Sequence, residues 1–219
     1  MATIADKLQL VRGRIARAVS EFGRPEGCVT LLAVSKTFPA VTVREAVAAG
    51  QREFGENYVQ EALDKIAELS DLRADITWHL IGPLQSNKTR PVAEAFDWVH
   101  SVDRLKIAER LSAQRPAGLP ALQVCLQVNI SGEDSKSGVT LEALPALAQA
   151  VAALQQRYSG QVFTFRTAAA EVRSAVAQYK PRYVCFVCQP TENFPEFVLE
   201  ANRFCRELDS DPYVDAIWG

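Results

Sequence analysis

The chain has 219 residues, 48% of them apolar, and its 24 basic and 26 acidic side chains leave a formal charge of −2. The basic residues are scattered among the acids, which excludes the basic stripe of a nucleic-acid-binding face. No stretch has the apolar length of a membrane span, and the amino terminus lacks the pattern of a secretory signal, so the cytosol is the expected compartment.

Ile4, Leu8, Val11, Ile15 and Ala18 recur at helical spacing and predict a leading amphipathic helix over residues 3–22. Residues 29–35 form an apolar run that reads as a strand buried on both faces, of the parallel-sheet kind, and the run ends at Lys36. A helix near residues 41–49, a short strand over 53–55 and a helix over 58–69 follow. Next come a strand over 77–81, a helix near 88–95, and a strand over 98–102. Asp103 is read as the cap of a helix reaching residue 113. A long buried strand over 122–130 and a helix over 141–154 precede the last third. That part gives strands at 161–165, 183–188 and 213–218, with helices over 167–179 and 195–208 between them.

Eight strands separated mostly by helices call for a parallel sheet with right-handed crossovers. Eight such units favour a closed α/β architecture, the (β/α)8 barrel of TIM type, as one domain over residues 1–219. The chain stops at Gly219, so the helix that closes such a barrel is expected to be missing, with the leading helix covering part of the gap.

The five cysteines, an odd number, fit a reducing compartment better than a disulfide framework. Cys28, Cys125, Cys185 and Cys205 read as small core hydrophobes. Cys185 and Cys188 form a CxxC inside a strand pattern, where alternation points them to opposite faces and spoils a metal or redox role. No metal site is expected.

Lys36 carries the most information. A lysine at the carboxyl end of a parallel strand sits at the mouth of a barrel, where such folds keep their chemistry. Partial desolvation there favours the neutral amine that condenses with a carbonyl. A solvated lysine in a βα loop satisfies the same pattern, and both readings stand at this point. Polar clusters follow other strands at the same end: residues 54–58, 82–88 and 129–138. Their amides, hydroxyls, lysines and glycines suit a polar, phosphorylated small ligand better than a protein groove.

Four segments then act together: Leu32-Ala33-Val34-Ser35-Lys36-Thr37, Phe54 to Glu61, Trp78 to Lys88, and Val128-Asn129-Ile130-Ser131 with Lys136-Ser137-Gly138. In this order they closely resemble the pyridoxal phosphate homeostasis protein family, whose fold is similar to the amino-terminal barrel of alanine racemase. The resemblance runs to about residue 154. It implies a single barrel holding pyridoxal 5′-phosphate (PLP) as a Schiff base on Lys36. It further implies a role in intracellular vitamin B6 and amino-acid homeostasis without established turnover, with PLP-dependent apo-enzymes as candidate recipients; a monomer is expected. Asn57 matches a residue of the cofactor pocket, Lys136 a second lysine in cofactor handling, and His79 and Leu80 line the third strand beneath the ring. For His79 and His100 a histidine hydrogen-bonded inside the barrel is the plainer reading.

From residue 155 onward the resemblance lapses. The family's phosphate-binding turns after the seventh and eighth strands correspond here to residues 187–192 and 216–219. Pro190 has no N–H to offer and Glu192 repels a dianion. Asn193 before Pro195 reads as a helix start able to hold phosphate, with Arg166 as a source of charge. Besides the homeostasis role, two readings follow: a racemase- or decarboxylase-like enzyme, for which Tyr58 is the nearby acid/base group, and an altered barrel that binds no cofactor.

Overall fold

The structure, a computed structural model, describes residues 2–129, 136–140, 142–154, 162–164, 183–186 and 215–218. The leading helix α1 spans Ile4–Glu21 and starts at a capping box. Thr3 Oγ1 accepts from the Asp6 N–H while Asp6 Oδ2 accepts from the Thr3 N–H, at 3.1 and 2.8 Å. Strand and helix then alternate: β1 (Ala33–Val34), α2 (Ala40–Ala48), β2 (Glu53–Glu56), α3 (Val59–Glu68), β3 (Thr77–Leu80) and α4 (Thr89–Ala95). After these come β4 (Trp98–Val102), α5 (Leu105–Gln114), β5 (Gln123–Gln127) and α6 (Leu144–Ala153), and then β6 (Val162–Thr164), β7 (Tyr183–Phe186) and β8 (Asp215–Trp218).

The eight strands lie side by side in chain order, each parallel to the next. This is the expected TIM-type (β/α)8 architecture. The expected lack of a closing helix concerns the end of the chain, outside the described residues, as do the helices read over 167–179 and 195–208 and the groups Arg166, Cys188, Pro190, Glu192 and Asn193.

Alternation sorts the strand side chains into two layers. Phe54, Glu56, Trp78, Leu80, Val99, Val124 and Leu126 are buried and turn towards the helices, where they meet Val43, Ala62, Val92, Ile107 and Leu111. Phe54 and Trp78 pack ring to ring at 5.9 Å. Gly55, His79, Trp98 and Gln123 fall on the other face, towards the barrel interior. Cys125 is buried in β5, as its reading as a small core residue requires, and Cys28 is half-buried.

Three expectations change. The strand read over 29–35 shrinks to Ala33–Val34. The Leu31 carbonyl accepts from the Gln51 side-chain amide at 2.6 Å instead of from a strand, and Arg12 of α1 donates to Gln51 Oε1 at 3.1 Å. The strand read over 122–130 ends at Gln127. Asp103 does not cap α5: its N-cap is Arg104, without a side-chain cap bond, and the Asp103 carboxylate accepts from the Arg104 guanidinium at 2.6 Å.

An 840 Å³ cleft opens between α1 and the amino-terminal ends of β1 and β2, at the barrel end opposite Lys36. Its Arg12 and Arg52 guanidiniums are spent on the carbonyls of Ala49, Val47 and Gln51 around the end of α2.

Candidate cofactor site

Lys36 follows β1 at its carboxyl end and is exposed, so the partial desolvation expected from the sequence is not found. Its amine has no hydrogen-bond or ion-pair partner among the described residues. Val34 pairs with Gly55 in the β1–β2 register and the Ser35 N–H donates to the Gly55 carbonyl, so the ends of β1 and β2, after which Lys36 and Asn57 follow, lie side by side. Asn57 is half-buried, and its Oδ1 is shielded from solvent without a donor among the described residues. A buried acceptor in that state costs about 1–3 kcal/mol until a donor reaches it.

Gly82 is what lets the chain close over Asn57. A Cβ on Gly82 would lie 2.1 Å from the Asn57 carbonyl oxygen, so only a glycine fits against that backbone. A second close approach folds residues 136–140 back onto the end of β5. Val139 exchanges backbone bonds with Gln127 and Asn129, and the Asn129 side chain donates to the Lys136 carbonyl at 3.1 Å. Gly138, at φ +135°, makes this possible. Lys136, half-buried, thereby stands at the same end of the barrel as Lys36 and Asn57, beyond a strand on the far side.

His79 faces the interior one layer below Lys36. Its ring stacks on Trp98 at 5.5 Å, its Nδ1 lies 2.9 Å from His100 Nε2, and its Nε2 lies 2.6 Å from Glu53 Oε2. Leu80 does not line the interior: it turns the opposite way, fully buried with Trp78 against the helices. Tyr58, the acid/base group read from the sequence, precedes α3 and is 59% exposed.

Burial pushes the His79 pKa down from 6.5 to about 4; the Glu53 hydrogen bond opposes the shift and the neighbouring His100 adds to it, with Asp97 a weaker opposing charge. The imidazole is therefore neutral at pH 7, donating from Nε2 to the Glu53 carboxylate and accepting at Nδ1 from His100. In acid the unfolded chain takes up a proton near pH 6.5 that the folded chain resists down to about 4. The unfolded state then binds more protons, and stability falls as pH drops through that window, by on the order of 2–3 kcal/mol. Urea midpoints at pH 7 and 4.5 measure the loss. His79→Gln should flatten the slope, and an unchanged slope in that variant refutes the assignment.

Sequence reading missed a charged cluster behind Lys36. Glu56 of β2 is 0% exposed and Lys65 of α3 4% exposed; the ammonium donates to Glu56 Oε1 at 2.6 Å, to the Ser35 carbonyl at 2.8 Å and to Glu61 Oε1 at 3.2 Å. Ser35 Oγ donates to the same Glu56 oxygen at 2.6 Å. On the other side of Lys36, the Thr37 N–H donates to Glu61 Oε1 at 2.6 Å. Thr37 sits at φ +66°, a left-handed conformation that costs a β-branched residue about 1–3 kcal/mol and persists only when its surroundings enforce it.

The alanine racemase N-terminal domain model matches residues 8–187, beyond the limit of residue 154 read from the motifs. The pyridoxal phosphate homeostasis protein of Pseudomonas aeruginosa is 67% identical over 151 residues, covering 69% of this chain and 65% of that protein. Its namesake from Escherichia coli is 57% identical over 155 residues, covering 70% of this chain and 66% of its own length. The chain thus spans just under two thirds of these relatives. PipY of Synechococcus elongatus, solved with PLP bound, superimposes with a TM-score of 0.64 at 32% identity, over 99% of this chain and 98% of PipY. By the extent of the first match alone, the chain belongs to the alanine racemase N-terminal domain family.

Proposed function

We propose that this protein binds pyridoxal 5′-phosphate through a Schiff base on Lys36 and serves in vitamin B6 homeostasis, holding the cofactor for PLP-dependent apo-enzymes rather than turning over a substrate. The observation that carries the reading is an exposed amine, Lys36, and a shielded acceptor, Asn57 Oδ1, each without a partner among the described residues and each following one of the adjacent strands β1 and β2. The related PipY, with PLP bound, supports the choice of ligand.

The described residues fit the group. When bound, the cofactor supplies an aldehyde, and its condensation with an amine forms a C=N bond and releases one water. Lys36 provides that amine from the end of β1. Asn57 offers Oδ1 to a donor on the ligand and ends a desolvation penalty by doing so. Lys136 brings a cation to the same rim for an anionic ligand. His79, neutral and tied to Glu53 and His100, forms a rigid floor in the layer beneath; Leu80 contributes packing behind that floor.

The test is direct. The purified chain is incubated with PLP, reduced with borohydride and mapped by mass spectrometry. The expected result is a pyridoxyl adduct on Lys36. An adduct on another lysine with Lys36 unmodified overturns the attachment site, and no adduct at all favours the altered barrel that binds no cofactor. Turnover of an amino acid by the loaded protein would convert the reading to that of an enzyme.

A further inference from the structure

We infer that Glu61 is a positioning residue for Lys36: its carboxylate, braced by Lys65, clamps the backbone on the far side of the lysine and so aims the amine into the barrel mouth. The inference rests on Lys36 being the attachment residue.

The two neighbours of Lys36 are fixed from one cluster. Before it, Ser35 gives its hydroxyl proton to Glu56 and accepts from Lys65 at its carbonyl. After it, the Thr37 N–H is taken by Glu61 Oε1, the same oxygen that Lys65 Nζ reaches from one helical turn away. Lys65 has three N–H groups and three acceptors, Glu56, Glu61 and the Ser35 carbonyl, so the ammonium is fully spent as a brace. The Thr37 hydroxyl closes on the Lys36 carbonyl at 2.6 Å. Among the described residues nothing bonds the Lys36 amine, which extends from a backbone held on both sides.

A left-handed threonine needs such a hold. Without the Glu61 acceptor the Thr37 N–H loses its partner, and the residue relaxes towards the negative φ that threonine prefers. Rotation there swings the peptide that carries Lys36, and displacements of about 1 Å at a reacting group slow a reaction by up to roughly a hundredfold.

Glu61→Ala removes the acceptor; Glu61→Gln keeps an oxygen in its place. Lys65 retains Glu56 and the Ser35 carbonyl in both. Two readouts are compared in each variant: the rate of borohydride-trapped pyridoxyl attachment to Lys36, and, in protein without cofactor, hydrogen exchange of the Thr37 amide. Acylation of Lys136 in the same samples controls for loss of fold. Glu61→Ala should attach roughly tenfold more slowly and lose Thr37 protection, while Glu61→Gln stays within about twofold of the parent. Attachment at the parent rate in Glu61→Ala, or equal impairment in both variants, overturns the inference. If the parent chain attaches nothing to Lys36, the functional reading fails by itself, and Thr37 exchange still reports whether the clamp exists.

Discussion

Lys65→Met is expected to lower the unfolding free energy by about 3–5 kcal/mol, the cost of leaving one member of a buried ion pair without the other. The reason lies in Glu56, which is 0% exposed and has one carboxylate oxygen already without a partner among the described residues. The other oxygen depends on Lys65 and Ser35. Methionine matches the length and apolar stem of lysine, so little of the loss comes from packing. The double variant Lys65→Met/Glu56→Leu removes both charges and should recover much of the deficit, because desolvating the pair offsets most of its mutual attraction. Urea midpoints of the parent, the two single variants and the double variant form a thermodynamic cycle. A double variant no more stable than Lys65→Met would contradict the pairing as the source of the effect.

Gly82→Ala is the second large expectation. The new methyl group would meet Asn57 backbone atoms at 2.1 to 2.7 Å, well inside van der Waals contact, and backbone cannot swing away as a side chain can. The cost should be about 3 kcal/mol, the upper part of the range for an overfilled interior. That corresponds to a fall in Tm of roughly 6–12 °C for a chain of this size. Relief requires Asn57 to move, so cofactor binding should weaken together with stability. Gly118→Ala serves as the control, since nothing lies within 4 Å of its Cβ position. A Tm for Gly82→Ala equal to that control would mean that the two loops are not in contact.

The order of the elements could be read from the chain because a parallel strand buried on both faces is an unbroken apolar run, and the helices between announce themselves by spacing. Lengths were harder where a side chain replaces a strand. Gln51 caps the Leu31 carbonyl and cuts β1 to two residues, and nothing in the apolar run Val29-Thr30-Leu31-Leu32 announces that. Lys36 was singled out because its position follows from the end of a strand, and Asn57 because the segment Phe54 to Glu61 resembles the family's motif. Leu80 was assigned to the wrong face although alternation with His79 carried the answer. The Glu56–Lys65 pair was missed, yet a signal was present. Lys65 lies in the buried stripe of α3 with Ala62, and Glu56 shares the outward face of β2 with Phe54. A charge at each of two apolar positions calls for a partner, and here each is the other's.

Each strand lies beside its predecessor in the chain, so a ribosome releases the sheet in the order in which it can assemble. The described groups around Lys36 have emerged once α6 is out, before β6 to β8 have been made. Until those strands arrive, β5 presents a bare row of amides and carbonyls on which strands of other nascent chains can pair. A pause in translation at that point sets early assembly of these groups against self-association of the half-made sheet.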